Sequence, residues 1–405
     1  MAGTSNSTAN DALKPRPHRA LAYHAATLGT FFAASSAPTP LYRLYQQAYA
    51  FSPVLIALIF AVYAFSLLVS LLIVGSVSDH LGRRPVIFGA LLLLLLAIAL
   101  FFTANGLGML IAARIVQGVA TGAAASSIGA ALIDVDPNRG AVINSLAPLA
   151  GMGFGALGAS ALVQFAPAPM QLVYAILAVV IVILAAVLWR VPETVTPKPG
   201  AFSALYPEIL VPSQVKRALL SITPINIAVW ALGGFYLSLV PSLVGATTGS
   251  SAPMVGGCVV AALTVSGGFA VVTLRLRPVV IALRVGISAM TLGLLCVVAG
   301  VHLGSVSLLG LGTLIAGAGF GANFLGAVKT IMPLAKPEER AGLLSAFYIE
   351  SYLAFSLPAI GAGFLAKGLG YVATTDLYAG AIILMMVLGV LALRAGRPKP
   401  KGAAA

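Results

Sequence analysis

The sequence predicts an all-α membrane protein whose twelve transmembrane helices form two pseudo-symmetric six-helix bundles. Three observations carry that prediction. Of 405 residues, 60% are hydrophobic and only 8% are Asp, Glu, Lys or Arg, with a mean hydropathy of +1.04. A soluble chain of this length needs far more surface charge. Long apolar runs such as IFGALLLLLLAIALFF (87–102) lack the period-2 alternation of a membrane barrel. Every backbone polar group in a bilayer core must be satisfied internally, so such runs must be helical. The third observation is a repeat at a spacing near 200 residues, set out below.

At roughly 20 apolar residues per span, the candidate spans are 20–43, 53–78, 85–103, 107–133, 140–164, 170–190, 216–241, 253–274, 278–301, 305–333, 341–366 and 372–394. Residues 33–37 (AASSA) mimic a signal-peptide cleavage site, but removing the first span would leave eleven and spoil the repeat. The organisation expected is a cytoplasmic tail (1–18), a bundle (19–190), a linker (191–215), a second bundle (216–394) and a second tail (395–405). The linker carries Pro192, Pro197, Pro199, Pro207 and Pro212. Its Phe202, Leu205, Tyr206, Ile209 and Leu210 suit a membrane surface, although Pro207 argues against a regular helix.

The net charge of +13 sets orientation rather than nucleic-acid binding. With both termini cytoplasmic, nineteen of the 23 Lys and Arg residues lie on the cytoplasmic side. Two lie outside (Arg43 and Lys367) and two within spans (Arg114 and Lys329). This is the positive-inside asymmetry of a multi-pass protein of the cell's inner (plasma) membrane. Cys258 and Cys296 fall inside spans without metal-ligand company and read as packing residues. The glycosylation-like triplet at Asn6 lies on the cytoplasmic side and reads as chance.

The repeat rests on anchors in constant order. GVATG (Gly118 to Gly122) in span 4 precedes Pro137 and Arg139; GAGFG (Gly317 to Gly321) in span 10 precedes Pro337 and Arg340. The offsets are 199, 199, 200 and 201, and Arg84–Pro85 is echoed by Arg277–Pro278 at 193. A duplicated six-span unit, its copies related by an axis along the membrane normal, is a transporter architecture.

Between spans 2 and 3 lies GSVSDHLGRRPV (75–86), a concentration of charge in a chain poor in it. Gly75 is expected to let span 2 pack closely on a neighbour, and Gly82 to permit a turn. Arg83 and Arg84 hold the loop inside, while Asp79 stands beside a helix amino terminus, where the dipole favours an acid.

The pattern resembles the signature loop of the major facilitator superfamily, G-x-x-x-D-x-x-G-R-[KR], at Gly75, Asp79, Gly82, Arg83 and Arg84, with His80 departing from the usual basic residue. With twelve spans, a central linker and the repeat, the resemblance covers the whole chain. It implies that Asp79 meets the cytoplasmic start of span 11 near Ala341 and helps latch the two halves. It also implies that Arg83 pairs with an acid at the end of span 4, where Asp134 and Asp136 stand. RIVQGVATG (Arg114, Gln117, Gly118, Gly122) is similar to the span-4 motif R-x-x-x-G of proton-driven drug exporters. The antiporter motif of span 5 is met only in part by Gly151 and Gly155, since Ala156 and Ala159–Ser160 depart from it.

An ion near mid-membrane costs about 2.5–3.5 kcal/mol on insertion scales, so each one needs a reason. Glu350 lies roughly 14 Å along span 11 at 1.5 Å per residue. It reads as a proton- or substrate-coupling carboxyl, as a buried structural hydrogen-bonding group, or as an oddity at the lipid edge. Ser345, Tyr348, Tyr352 and Ser356 form a polar stripe that points nearly opposite to it. Counting back through the hairpin makes Asn323 or Lys329 its expected partner. Arg114 reads as a snorkelling cation or as a proton-transfer or anion-binding group, Lys329 as snorkelling, and His24 as interfacial. Gln117, Asn144, Asn226 and Asn323 are further polar candidates, with Tyr63, Trp230 and Tyr236 the aromatic ones.

No P-loop, HExxH or nucleophile elbow is present, and Cys and His are too few for a metal centre. The expectation is therefore a non-enzyme without cofactors, a monomer in the lipid bilayer that binds no nucleic acid. It moves a small-molecule substrate, with protons as the driving ion. Proton-coupled export of an amphipathic or drug-like compound leads; proton-coupled uptake or exchange of a small organic acid, with Arg114 as carboxylate partner, is the alternative. A transport-dead receptor or scaffold is a third reading.

Overall fold

The computed structural model describes residues 17–200, 202, 205–250 and 252–395. The expected tails, apart from Pro17, His18 and Ala395, lie outside the described residues, as does Asn6. The described residues form helices and loops, with no strand among them.

Among the described residues ten helices are each long and apolar enough to cross a membrane. Twelve spans follow once two features are resolved. Helix Arg340–Ala395 is two spans joined at Gly370, whose φ of 80° and ψ of 173° no helix contains. Glycine suits that conformation because it has no Cβ to clash. Span 1 is broken into Pro17–Ser36 and Pro38–Tyr49, and span 7 into Ser213–Ser238 and Val240–Thr248. Pro38 and Pro241 each stand just past the break, where a missing N–H and a fixed φ interrupt the ladder. The break thus recurs in both copies of the repeat.

The remaining spans are Pro53–Val74, Arg83–Phe102, Leu107–Val135, Pro137–Phe165, Pro169–Leu188, Pro253–Leu274, Val279–His302 and Val306–Ile331. Their starts are written in the sequence. Pro53, Pro137, Pro169 and Pro253 occupy first-turn positions that tolerate a missing donor. Ser52, Asp136 and Ser305 cap three amino termini with side-chain oxygens.

Packing repeats as the sequence does. A Cβ on Gly118 would fall 2.4 Å from the Tyr63 carbonyl oxygen, and one on Gly122 2.5 Å from that of Leu67, so span 4 lies directly on span 2. In the second half a Cβ on Gly317 would fall 2.4 Å from the Leu263 oxygen, and one on Gly321 2.0 Å from that of Gly267, bringing span 10 onto span 8. Lipid tails are as apolar as leucine, so helix association in a membrane relies on such close approach.

Each half has its own buried apolar cluster, one around Phe31, Leu91 and Ile128, the other around Leu232, Met290 and Leu309. A third cluster joins the halves, with Phe60, Tyr63 and Leu67 meeting Leu237, Tyr352 and Phe355. Leu92, Val179, Ile183 and Leu384 stay outward, as a lipid-facing surface requires.

Candidate functional site

The charged loop is built around Arg83, which is 7% exposed. Its Nε donates to Asp134 Oδ2 at 3.1 Å, and its Nη1 donates to Ser78 Oγ at 2.6 Å and pairs with Asp79 Oδ1 at 2.5 Å. Asp136 does not join this group; it caps span 5, accepting from the Asn138 and Arg139 amides at 3.0 and 2.9 Å. Asp79 stays within its own loop, and among the described residues no hydrogen bond or ion pair links it to the start of span 11. Gly75 also corrects an expectation, since a Cβ there would meet only the Leu71 carbonyl of its own helix. Gly82 has φ +96°, and a Cβ there would sit 2.9 Å from Glu193 Oε2.

Glu193 takes the place that the helix dipole offers. Its carboxylate accepts from the Arg83 and Arg84 amides, both at 2.9 Å, at the first turn of span 3. Arg84 turns outward to the Trp189 carbonyl at 2.8 Å, with its guanidinium 5.0 Å from the Trp189 ring centroid.

The first half holds a cation at its centre. Arg114 is 0% exposed, which excludes snorkelling. Nη1 donates to the Ser35 carbonyl at 2.9 Å and to Gln117 Oε1 at 2.7 Å, while Nη2 donates to the Tyr42 hydroxyl. Gln117 is anchored in turn through Nε2 to the Ala34 carbonyl at 2.9 Å. The Tyr42, Tyr63 and Phe101 rings surround the guanidinium at 5.5, 5.3 and 5.6 Å. Among the described residues no carboxylate pairs with it. His24, expected at the interface, is instead 2% exposed, with both ring nitrogens unpartnered.

The second half holds an anion. Glu350 Oε2 accepts from Thr223 Oγ1 at 2.9 Å and Oε1 from Asn226 Nδ2 at 3.0 Å. Asn226 also donates to Ser351 Oγ at 3.0 Å, and its own Oδ1 has no donor. Neither expected partner reaches the carboxylate. Asn323 is buried inside the second half, its Nδ2 3.6 Å from Met290 Sδ and 3.7 Å from Met386 Sδ. Lys329 donates to the Arg275 and Arg277 carbonyls of the loop between spans 8 and 9, as a snorkelling lysine does.

Tyr348 and Tyr352 face the cluster between the halves, and Trp230 lies 5.0 Å from Tyr352 and 5.7 Å from Phe355 between ring centroids. The stripe and Glu350 thus point to different surroundings, as the helical wheel requires. Tyr236 is internal, its hydroxyl 2.9 Å from Thr313 Oγ1, and Asn144 stands beside Gly129.

The halves are sealed to one another at the face opposite the charged loop. Thr39 Oγ1 donates to the Leu237 carbonyl at 3.0 Å, Ser242 Oγ to Gln46 Oε1 at 3.2 Å, and the Met254 amide to Gln164 Oε1 at 3.1 Å. On the loop face the linker does the bridging. The Lys198 amide donates to the His80 carbonyl at 2.8 Å and the Leu210 amide to the Gly342 carbonyl at 3.2 Å. Its Phe202 and Tyr206 are 87% and 81% exposed.

The sequence matches the Major Facilitator Superfamily over residues 20–357. The chain belongs to that superfamily. It is accordingly a secondary transporter and a multi-pass membrane protein. No curated protein sequence matches it. Among solved structures, a bacterial homolog of the human lysosomal transporter Spinster, inward-facing and occupied, superposes with a TM-score of 0.73 at 14% identity, covering 95% of this chain and 100% of that one. The nucleoside transporter NupG gives 0.72 at 13%, covering 93% and 100%. The human organic anion transporter MFSD10 (TETRAN) gives 0.68 at 16%, covering 93% and 100%. At these identities the likeness is one of fold.

Within this superfamily fold, sequence reasoning missed several participants, among them Tyr42 and Ser35 beside Arg114, Ser78 beside Arg83, Ser351 beside Asn226, and above all Glu193 and Thr223. Glu193 sits in a proline-rich linker 110 residues from the amide it caps, and only its acidity in a basic chain marks it. Thr223 is marked only by lying one helical turn before Asn226 on span 7.

Proposed function

We propose that this superfamily member exports small amphipathic, aromatic-rich molecules in exchange for protons, with Glu350 as the proton-carrying group. The observation that carries the reading is the carboxylate's setting. Glu350 lies within span 11 at its contact with span 7, and its donors, Thr223 and Asn226, are neutral. It can gain or lose a proton without breaking an ion pair, and its charge state then changes the bonding that ties the two spans. The aromatic cluster of Phe60, Tyr63, Trp230, Tyr348, Tyr352 and Phe355 between the halves supports a flat, apolar cargo rather than a highly charged one. The charge asymmetry of the loops supports a cytoplasmic position for both termini and the signature loop, and so export toward the face now sealed. The protein acts as a monomer in the cell's inner membrane.

Organic-acid uptake finds one supporting feature, the unpartnered Nε of buried Arg114. Both terminal nitrogens of that guanidinium are already engaged, however, so a substrate carboxylate would have to displace part of the shell.

Counterflow of labelled amphipathic compounds in proteoliposomes, with and without a pH gradient, tests the proposal. Expulsion driven by protons in the wild type, with Glu350→Gln retaining exchange but losing the gradient response, is the expected outcome. Accumulation driven by acid on the outer side would reject export. A gradient response that survives Glu350→Gln would remove Glu350 from the coupling.

A further inference from the structure

The seam opposite the charged loop contains a cation that the described residues leave unneutralised. Arg43 stands in the second segment of span 1. It reaches across to the other half, where a Cβ built on Gly245 would fall 2.6 Å from its Nη1. Glycine at that position makes the room the guanidinium occupies. None of the hydrogen bonds or ion pairs among the described residues uses Arg43. Asp376, the acid at the outer end of span 12, is engaged with His302 at 3.0 Å.

Arg43 lines a cavity of about 40 Å³ whose walls come from both halves, Val163 from one and Gly245, Ser250, Pro253 and Gly256 from the other. Pro253 and Gly256 belong to the first turn of a 22-residue helix, but Pro253 has no N–H and the Met254 and Val255 amides are taken by Gln164 Oε1 and the Ala252 carbonyl, so the positive charge in this space is that of Arg43. A lone water needs about 10–15 Å³ measured in the same way, so the cavity admits one small ion with little water. A drug-sized ligand, at roughly 300 Å³ or more, is excluded.

We propose that this cavity binds one small monovalent anion, of halide or simple carboxylate size, and that the bound anion holds the two halves together on this face. Opening the seam pulls Arg43 away from Gly245 and Pro253, so the site exists only in the closed arrangement. An anion that binds one arrangement and not the other shifts the population toward the one it binds. This inference is independent of the proton and substrate assignments, because neither Glu350 nor the central aromatic cluster takes part.

The test uses the purified full-length protein in detergent, in sodium chloride, sodium formate or sodium gluconate at equal ionic strength, with gluconate too large for the cavity. Chloride or formate is expected to raise the apparent unfolding temperature by about 2 °C over gluconate. Whichever is effective distinguishes a halide site from a carboxylate site. Arg43→Gln should unfold at the same temperature in all three salts, and Arg43→Lys should keep part of the difference. A second readout follows opening directly. With Cys258 and Cys296 replaced by serine and Ser242→Cys placed in the seam, maleimide labelling should be several-fold slower in the effective anion than in gluconate. That protection should disappear with Arg43→Gln. Equal unfolding temperatures and labelling rates across the salts, or protection that survives Arg43→Gln, would overturn the proposal.

Discussion

The two halves of this transporter derive from one repeated unit, yet they treat a charge at depth in opposite ways. In the first half Arg114 is enclosed by the Ser35 carbonyl, Gln117 Oε1, the Tyr42 hydroxyl and three rings, so that both terminal nitrogens are engaged and only Nε lacks a partner. In the second half Glu350 rests on two neutral donors, and its neighbour Asn226 still has an unused acceptor. A guanidinium stays protonated under all ordinary conditions, so a fixed shell suits it. A carboxyl group changes its hydrogen-bonding role with each proton, and spare acceptor capacity suits that. The first half is organised around a permanent charge and the second around a carboxyl group, which the proposed function makes the exchangeable one.

Several variants would break or sharpen this contrast. The largest effect is expected from Arg114→Ala, which strands Gln117 Oε1 and the Ser35 carbonyl in a buried void. The loss should be about 3–5 kcal/mol, read as a lowered unfolding temperature in detergent. Glu350→Gln keeps an oxygen for Thr223 and Asn226 and should cost less than about 1 kcal/mol. Equal losses in the two variants would end the contrast.

Where the halves are alike, the response should be alike. Gly118→Val and Gly317→Val each push a side chain into an opposing helix backbone, and each should lose about 1–3 kcal/mol. A large difference between them would mean that only one half keeps the repeat's close packing. Glu193→Gln weakens the cap on span 3 and should lose about 1 kcal/mol, with thermal unfolding as the measure. Asp79→Asn is expected to change least. Its side chain is 53% exposed and its ion pair is local, so the stability change should stay below about 1 kcal/mol. Its effect on the balance between inward and outward states, followed in reconstituted vesicles, tells whether Asp79 reaches span 11 in another conformation.

Much of the architecture was legible before any coordinates, for a physical reason. Lipid demands uninterrupted apolar helices, so span count and order follow from hydropathy, while Gly118, Gly122, Gly317 and Gly321 mark the repeat in the sequence and their close contacts with spans 2 and 8 appear only in the structure. The contact between Arg83 and Asp134 was legible only through the family's motif. The partners of Glu350 were not. Counting residues through a hairpin assumes that sequence neighbours pack together, and it points to span 10. Span 11 instead presents Glu350 to span 7, placing Thr223 and Asn226 more than 120 residues away within reach of the carboxylate. His24 misled for a related reason: its position four residues into span 1 gives depth but not the direction in which the ring points.

The chain by itself determined that it lives in a bilayer, how many times it crosses, and that its halves are copies, because each follows from local apolarity and repetition along one dimension. Tertiary structure alone decided which side chains meet: Glu193 with the span 3 amides, Arg114 with Tyr42, Glu350 with span 7. Those meetings depend on how helices rotate and lean against one another, and rotation about a helix axis leaves the hydropathy of a mostly apolar span almost unchanged.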